Sequence, residues 1–483
     1  MKLKPIVLAI AALSAGVANA AYTDTASNVY LTGASAIRNN VAVSIKKLCT
    51  DAAGSLTVYK NGSSTSSLAN QMAYVCSAPM ASTGITTVIH TVTGGSLNSI
   101  LGMSNAVAKQ QVPVSLTSGC TAPVAGSGAL AGYSVRANCA LEASAAASDG
   151  GFSDVEYGPV SEQVTGLTSG ADGFTIADVI PGFTGVAQVF GLGVSEKMYK
   201  DLQAAQGVIG KTFAVDLNLD GDLLDAGETG VCASGTSYQD CQPSLTRADV
   251  VSLINNNEFA AHKNGAEALG LTAGASLQYA RRVTTSGTQS SAQILFLGKG
   301  CLTGPNFGQM TVIGDEIASG ATKSYNGGLF TVSANSGTGD VITKLTTAGT
   351  TSYAFGWVSG ENRAPDTTTG WKFIKLNGVG FSDGSTTGLN KQNAIDGKYE
   401  FFVETASYKG PSAKTDSSEG ALLDAIAGKM ATVTADGGPV TPGMFIIPDN
   451  TAGYDHATYP SEVSFYQRGG STPNSCAPVS RPF

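Results

Sequence analysis

Arg281-Arg282-Val283-Thr284-Thr285-Ser286-Gly287-Thr288 is the stretch of this sequence best equipped for chemistry. Free backbone amides at a helix start, with the positive end of the helix dipole, form a seat for an anion. A guanidinium a few residues upstream can fork onto two oxygens of that anion. Ser276 to Ala280 reads as a strand and Gln289 to Leu297 as a helix. The turn between them carries an N-cap serine (Ser286), a glycine that admits close approach (Gly287) and a hydroxyl (Thr288). A capped helix whose arginines face solvent is the competing reading of these residues taken alone.

Other segments repeat the theme. Asn28 to Leu31 reads as a strand, Thr32-Gly33-Ala34-Ser35 as a turn, and Ala36 to Leu48 as a helix with Ile37, Val41, Ile45 and Leu48 on one face. Ser35 is its expected N-cap. Thr87 to Val92 is a strand that runs into Gly94-Gly95-Ser96 and a helix. Asp154 follows Gly150-Gly151-Phe152-Ser153, where a strand ends. Ser336-Gly337-Thr338-Gly339-Asp340 leads into a further helix. Thr246 and Asp249 form a capping box, with Asp in the place of Glu.

A different chemistry is written at 216–228. Asp216, Asn218, Asp220 and Asp222 place side-chain oxygens at alternating positions, and Gly221 supplies the sharp turn of an EF-hand-like loop. Glu228 closes the set one residue later than in that motif. The expected ligand is a structural calcium ion, against the plainer reading of a solvated acidic turn. The histidines His90, His262 and His456 are scattered. None has metal-ligand spacing or lies near a nucleophile elbow, so each reads as a surface or hydrogen-bonded residue and the chain does not read as an enzyme.

The elements that must position these residues belong to an exported chain. Met1-Lys2-Leu3-Lys4, the apolar run Pro5 to Val17, and Ala18-Asn19-Ala20 form a signal peptide with cleavage after Ala20. The expected compartment is the periplasm or the cell exterior. Of the 483 residues, 13% are charged and 60 are glycine, a composition of loops and polar, uncharged surface. The net charge of −8 argues against nucleic acid and anionic membranes as partners. The 8 cysteines are even in number, which in an exported chain implies disulfides. Taken in sequence order they pair as 49–76, 120–139, 232–241 and 301–476, one arrangement among many. Val186 to Val194, Tyr353 to Val358, Trp371 to Leu376 and Tyr399 to Val403 read as strands. Residues 104–147 read as a hairpin-bearing insertion, and the tail after Asp455 as a surface wrap.

In this order the segments resemble the phosphate-binding proteins of bacterial ABC uptake systems and related secreted phosphate-binding proteins. The resemblance rests on Gly33-Ala34-Ser35, Gly94-Gly95-Ser96, Ser153-Asp154, the Arg-Arg-x-x-x-Ser-Gly-Thr element at 281–288, and Gly339 to Val358. It implies an α/β, two-lobed type II periplasmic-binding-protein-like fold with a hinge and β-rich insertions. Lobe 1 would comprise 21–185 with 355–483, and lobe 2 would comprise 186–354. It implies a solute-binding protein that holds phosphate or a related oxyanion in the inter-lobe cleft, with an ABC transporter permease or cell-surface components as partners. Ser35 and the amide of Ala36 would donate to the anion, Ser96 would join them, Arg282 would make the charged contact, and Ser286, Gly287 and Thr288 would complete the seat. Asp154 would accept the proton of hydrogenphosphate and repel fully deprotonated anions. Thr284 stands where the family carries an acid that orients the second arginine, and Ala36 where it carries an aromatic. Those departures keep an alternative in view, an extracellular or cell-surface structural or adhesion protein that retains the fold without phosphate.

The loop at 216–228 makes a direct prediction. Calcium raises the melting temperature of the mature protein, EGTA reverses the rise, and Asp220→Ala abolishes it in calorimetric scans. A melting temperature indifferent to both additions would leave the acidic turn as the correct reading.

Overall fold

The computed structural model describes residues 28–103, 112–158, 178–215, 223–254, 265–272, 274–301, 313–362, 370–381, 391–410, 417–435, 443–447, 453–468 and 474–481. The expected signal peptide lies outside these residues.

The chain opens with β1 (Asn28–Gly33), whose Val29, Tyr30 and Leu31 are buried, and α1 (Arg38–Asp51). Ser35 does not cap α1. Ile37 stands at the cap position without a side-chain hydrogen bond, because Ser35 lies in a tight turn in which Arg38 N bonds back to its carbonyl at 3.4 Å. β2 (Leu56–Lys60), β3 (Gln71–Cys76) and β4 (Thr87–Thr91) run antiparallel in turn, and β4 returns parallel to β1. After α2 (Asn98–Leu101) comes a small antiparallel pair, β5 (Val124–Ala125) and β6 (Ser134–Arg136), within the expected insertion. β7 (Gly150–Ser153) then joins the other edge of β1.

β8 (Ile180–Ser195) leads into the second lobe. That lobe holds α3 (Glu196–Ala205), the paired β9 (Thr212–Ala214) and β10 (Thr229–Val231), then β11 (Ser244–Leu245), α4 (Arg247–Ile254) and α5 (Gly265–Ala268). It continues with β12 (Leu277–Arg282), α6 (Gly287–Leu297), β13 (Thr322–Tyr325), β14 (Phe330–Asn335), α7 (Thr338–Ala348), β15 (Tyr353–Ser359) and β16 (Trp371–Leu376). α8 (Gln392–Ile395), β17 (Phe402–Lys409), α9 (Ser417–Ala435) and β18 (Met444–Ile446) follow.

The strand order runs β2-β3-β4-β1-β7-β17-β8 through the first lobe and β13-β14-β12-β15-β8 through the second. This is the two-lobed α/β architecture that the resemblance implied. β8 belongs to both sheets. Its first part pairs with β17 and β18, and from Phe190 onward it pairs with β15 and β16. From Val186 to Ser195 it is buried throughout, and apart from Gln188 its sequence there is an apolar and small-residue run. A Cβ at Gly191 would lie 2.5 Å from the Phe381 ring, so glycine there lets the aromatic layer of Phe373 and Phe381 close onto the strand. The boundary expected between 354 and 355 falls inside β15, whose neighbours β12 and β8 hold it in the second sheet. The chain returns to the first sheet only at β17, which begins at Phe402 rather than at Tyr399.

Each lobe has its own core. In the first, Val41 and Ile45 of α1 and Leu422, Ile426 and Met430 of α9 pack over the sheet. In the second, Tyr279 stacks on Phe355 at 4.7 Å and Phe296 on Trp357 at 4.9 Å, while Trp357 Nε1 donates to the Tyr279 hydroxyl at 3.1 Å. A smaller cluster joins them: Ile294 of α6 packs with Leu97, Ile100 and Leu101 of the first lobe. His90 departs from expectation. It is buried in β4, neither ring nitrogen has a hydrogen-bond partner among the described residues, and burial pushes its pKa down to about 3.

Disulfides join Cys49–Cys76, Cys120–Cys139, Cys232–Cys241 and Cys301–Cys476. Such bridges belong to an oxidising compartment. The last spans 175 residues and fastens the tail to the segment after α6. Beside it, Ser475 N donates to Glu156 Oε2 at 2.8 Å, and the buried Arg468 donates to Ala477 O at 2.7 Å. The tail therefore ties the lobes together instead of merely lying on the surface. Replacing Cys301 and Cys476 with serine is expected to cost about 2–5 kcal/mol of unfolding free energy in urea titrations, by freeing the unfolded chain of a long cross-link. An unchanged midpoint would show that the cross-link contributes nothing to stability.

Candidate functional site

The ends of several strands meet between the lobes. Ser35 and Arg38 lie between β1 and the first turn of α1, and Val92, Thr93 and Gly94 follow β4. Arg282 ends β12, and Ser336 to Asp340 join β14 to α7. With Asn70, Glu361 and Asn362 these residues line a cavity of about 320 Å³. Carboxyl ends of parallel strands are where the sheet leaves a crevice that following helices cannot fill.

Arg282 is buried and its guanidinium is partly committed. Nη1 donates to Thr338 Oγ1 at 2.7 Å and Nη2 to Ser336 O at 2.9 Å. These two acceptors orient the side chain, which accounts for the tolerance of Thr284 where an acidic partner was expected. They use one N–H on each terminal nitrogen, so each keeps a second N–H of the pair expected to fork onto an anion. Nε has no hydrogen-bond partner among the described residues. An unpaired buried donor costs on the order of 1–3 kcal/mol, so this one is an open demand for an acceptor. Burial pushes the Arg282 pKa down to about 10, against the pull of the Asp154, Asp340 and Glu361 carboxylates, and it remains a cation at neutral pH.

Glu361 supplies the complementary demand. Ser359 Oγ donates to its Oε1 at 2.7 Å, while its buried Oε2 has no partner among the described residues. Burial pushes its pKa up to about 7, opposed by Ser359 and Arg38 and aided by the Asp154 charge.

The remaining expected residues meet at a different place. Ser96 Oγ donates to Asp154 Oδ1 and accepts from Gly287 N at 3.0 Å. Leu97 N donates to Thr285 O at 3.1 Å, Thr285 Oγ1 donates to Gly94 O, and Ser291 Oγ donates to Asp154 O at 3.3 Å. The start of α6 is thus occupied by the first lobe's own Ser96 and Asp154. Ser286 and Thr288 are buried in this contact, and Ser286 stands at the cap position without a side-chain cap bond. A Cβ at Gly287 would fall 1.7 Å from Asp154 Oδ1, so glycine is required by the closeness of the lobes. Ala36 is buried and packs with the second lobe's core. Of the expected anion contacts, Ser35 and Arg282 line the cavity; Ala36, Ser96, Asp154, Ser286, Gly287 and Thr288 do not.

Arg38, Thr338, Glu361 and Asn362 were not expected at the site. One signal was available for Thr338. The tripeptide Ser-Gly-Thr occurs at 234–236, 286–288 and 336–338, and the last copy opens the helix that faces the cavity. Asp216, Asn218, Asp220 and Asp222 of the acidic loop lie outside the described residues. Glu228 is buried, and its Oε2 accepts from Asp225 N at 2.9 Å.

No protein-family model matches the sequence, and no curated protein matches it. Among solved structures, a protein described as a phosphate ABC transporter substrate-binding protein with bound phosphate, from Clostridium perfringens, aligns over 87% of this chain and 100% of its own, at 9% identity and a TM-score of 0.41. PstS from Borrelia burgdorferi aligns over 85% of this chain and 94% of its own, at 9% identity and a TM-score of 0.31. At this level of superposition no site residue is carried across.

The buried Asp154 gives a pH signature. Burial pushes its pKa from 3.8 up to about 6, with Ser96 and Arg282 pulling against the rise. The folded value lies above the unfolded one, so the folded chain keeps a proton that the unfolded chain has lost. Its contribution is full below the unfolded pKa and is lost as pH rises through the folded pKa. Asp154→Asn should therefore stabilise the protein above about pH 6, by up to roughly 3 kcal/mol, and the gain should vanish toward about pH 4. Urea unfolding across that range reads the difference. A gain that does not vary with pH would contradict the assignment.

Proposed function

We propose that this is an exported solute-binding protein that holds phosphate or a related oxyanion in the cavity between its lobes. The observation that carries the reading is the unpartnered, buried Nε of Arg282 on the wall of that cavity. Two features support it. Thr338 and Gly339 bring the first turn of α7 to the wall, where amides and the helix dipole favour negative charge. Arg38 at the start of α1 adds a second cation from the opposite lobe. An oxyanion there would accept from Arg282 Nε, Arg38, Ser35 and the α7 amides, and so draw both lobes toward it. β8, common to both sheets, is the natural element about which they would move. Delivery to an ABC transporter permease or to a cell-surface component is the role such binding would serve.

The inter-lobe contact at the start of α6 favours a second reading, an exported structural or adhesion protein whose lobes are fixed together. Calorimetric titration separates the two. Under the first reading, phosphate or sulfate binds the mature protein, and Arg282→Lys or Arg38→Ala weakens binding by at least about tenfold, the worth of one charge-assisted hydrogen bond. No heat from either anion, in protein shown to be folded, would leave the second.

The acidic neighbours add a pH dependence. Glu361 and Asp154, with pKa values pushed up to about 7 and about 6, lose their charge as pH falls. Arg38, Arg282 and Asp340 complete the local set of charges. Affinity for sulfate, whose own charge is constant near neutrality, should therefore rise as the pH is lowered through that range. A flat profile would show that neither carboxylate's charge acts on the bound anion.

A further inference from the structure

We propose that the molecule this cavity is shaped for is not a free oxyanion but a small, hydroxylated organic molecule that carries one, a phosphate monoester of a sugar or polyol. The proposal rests on the oxyanion reading of the cavity and specifies what else the ligand contains.

Size is the first argument. The cavity encloses about 320 Å³. At ~30 Å³ per water that is room for about ten waters, whereas a bare tetrahedral oxyanion takes the space of roughly two or three. Pockets that enclose small organic molecules begin near about 300 Å³. With the lobes as they stand, a lone phosphate would leave most of the cavity to water.

The lining is the second. Away from Arg282 and α7 the wall includes Ser35, Arg38, Asn70, Thr93, Asn362 and Glu361, with Val92 as an apolar member. Amide and hydroxyl side chains both donate and accept, which matches a ligand rich in hydroxyls. Among the described residues the wall has no aromatic side chain on which a stacking base or an aglycone ring could pack.

The third is a mismatch that a free oxyanion cannot resolve. Two residues of the cavity wall each hold a buried polar atom with no partner among the described residues, the donor Arg282 Nε and the acceptor Glu361 Oε2. A dianion satisfies the donor and is repelled by the carboxylate. A monoester answers both, its phosphate oxygens accepting from Arg282 and a hydroxyl donating to Glu361. A hydroxyl fits better than an ammonium group, because Arg38 and Arg282 already place positive charge close to Glu361.

The test is titration calorimetry on the mature full chain with inorganic phosphate, glycerol 3-phosphate, glucose 6-phosphate and glucose. At least one ester should bind about tenfold or more tightly than phosphate, and glucose alone should give no heat. Glu361→Ala should bring the ratio of ester to phosphate affinity close to one. Asn362→Ala, at a half-buried position where misfolding is a smaller hazard, should lower the same ratio. If phosphate binds as tightly as both esters, the inference is overturned and the oxyanion reading stands. If no phosphate compound binds a folded protein, both fall. If an ester is preferred but both variants keep the ratio, the assignment of Glu361 and Asn362 to the organic part is overturned.

Discussion

One strand has to satisfy hydrogen bonds in two sheets. β8 is 16 residues long, and along its buried length its amides and carbonyls need partners on both edges. The chain meets that demand by dividing the strand. β17 and β18 flank its first part, and β15 and β16 flank its last. Everything else in the two-lobed arrangement follows from this division. The lobes share a continuous backbone element, each keeps its own main core with a smaller cluster joining them, and their strand ends face one another across a crevice.

That crevice then has to accommodate buried charge. Arg282 sits at the end of a central strand because β12 runs that far, and its desolvation is offset by Thr338, Ser336 and nearby carboxylates. Asp154 is handled differently, by a serine hydroxyl and a place at the start of α6. The two helix starts of the second lobe have therefore diverged in role. That of α6 is used to dock the first lobe, and that of α7 stays on the cavity wall.

Sequence reading reached the elements more surely than their orientation. The glycine turns, the apolar spacing of α1, the buried run of β8 and the sequential cysteine pairs are local patterns, and each corresponds to a feature of the structure. The site is a matter of which surface each turn presents to the other lobe. Ser286-Gly287-Thr288 and Ser336-Gly337-Thr338 are the same tripeptide set one residue apart on their helices, with Ser286 and Gly337 at the cap positions, and the packing of α2 and Asp154 covers the first. Arg38 looks like an ordinary first-turn residue, and Glu361 follows a strand with no periodic signal. Their roles come from long-range proximity, which no spacing rule encodes.

The discontinuity of the first lobe sets an order of assembly. Strands β12, β14 and β15, with the last part of β8 and β16, lie within one continuous stretch of chain, so the second sheet can close as soon as that stretch is available. The first sheet cannot. β7 and the first part of β8 are joined only by β17, which comes after the whole second lobe. A chain that emerges from its N-terminus therefore carries an open parallel edge at β7 through most of its synthesis, and the final segments both fill that edge and, through Cys476, seal the two lobes together.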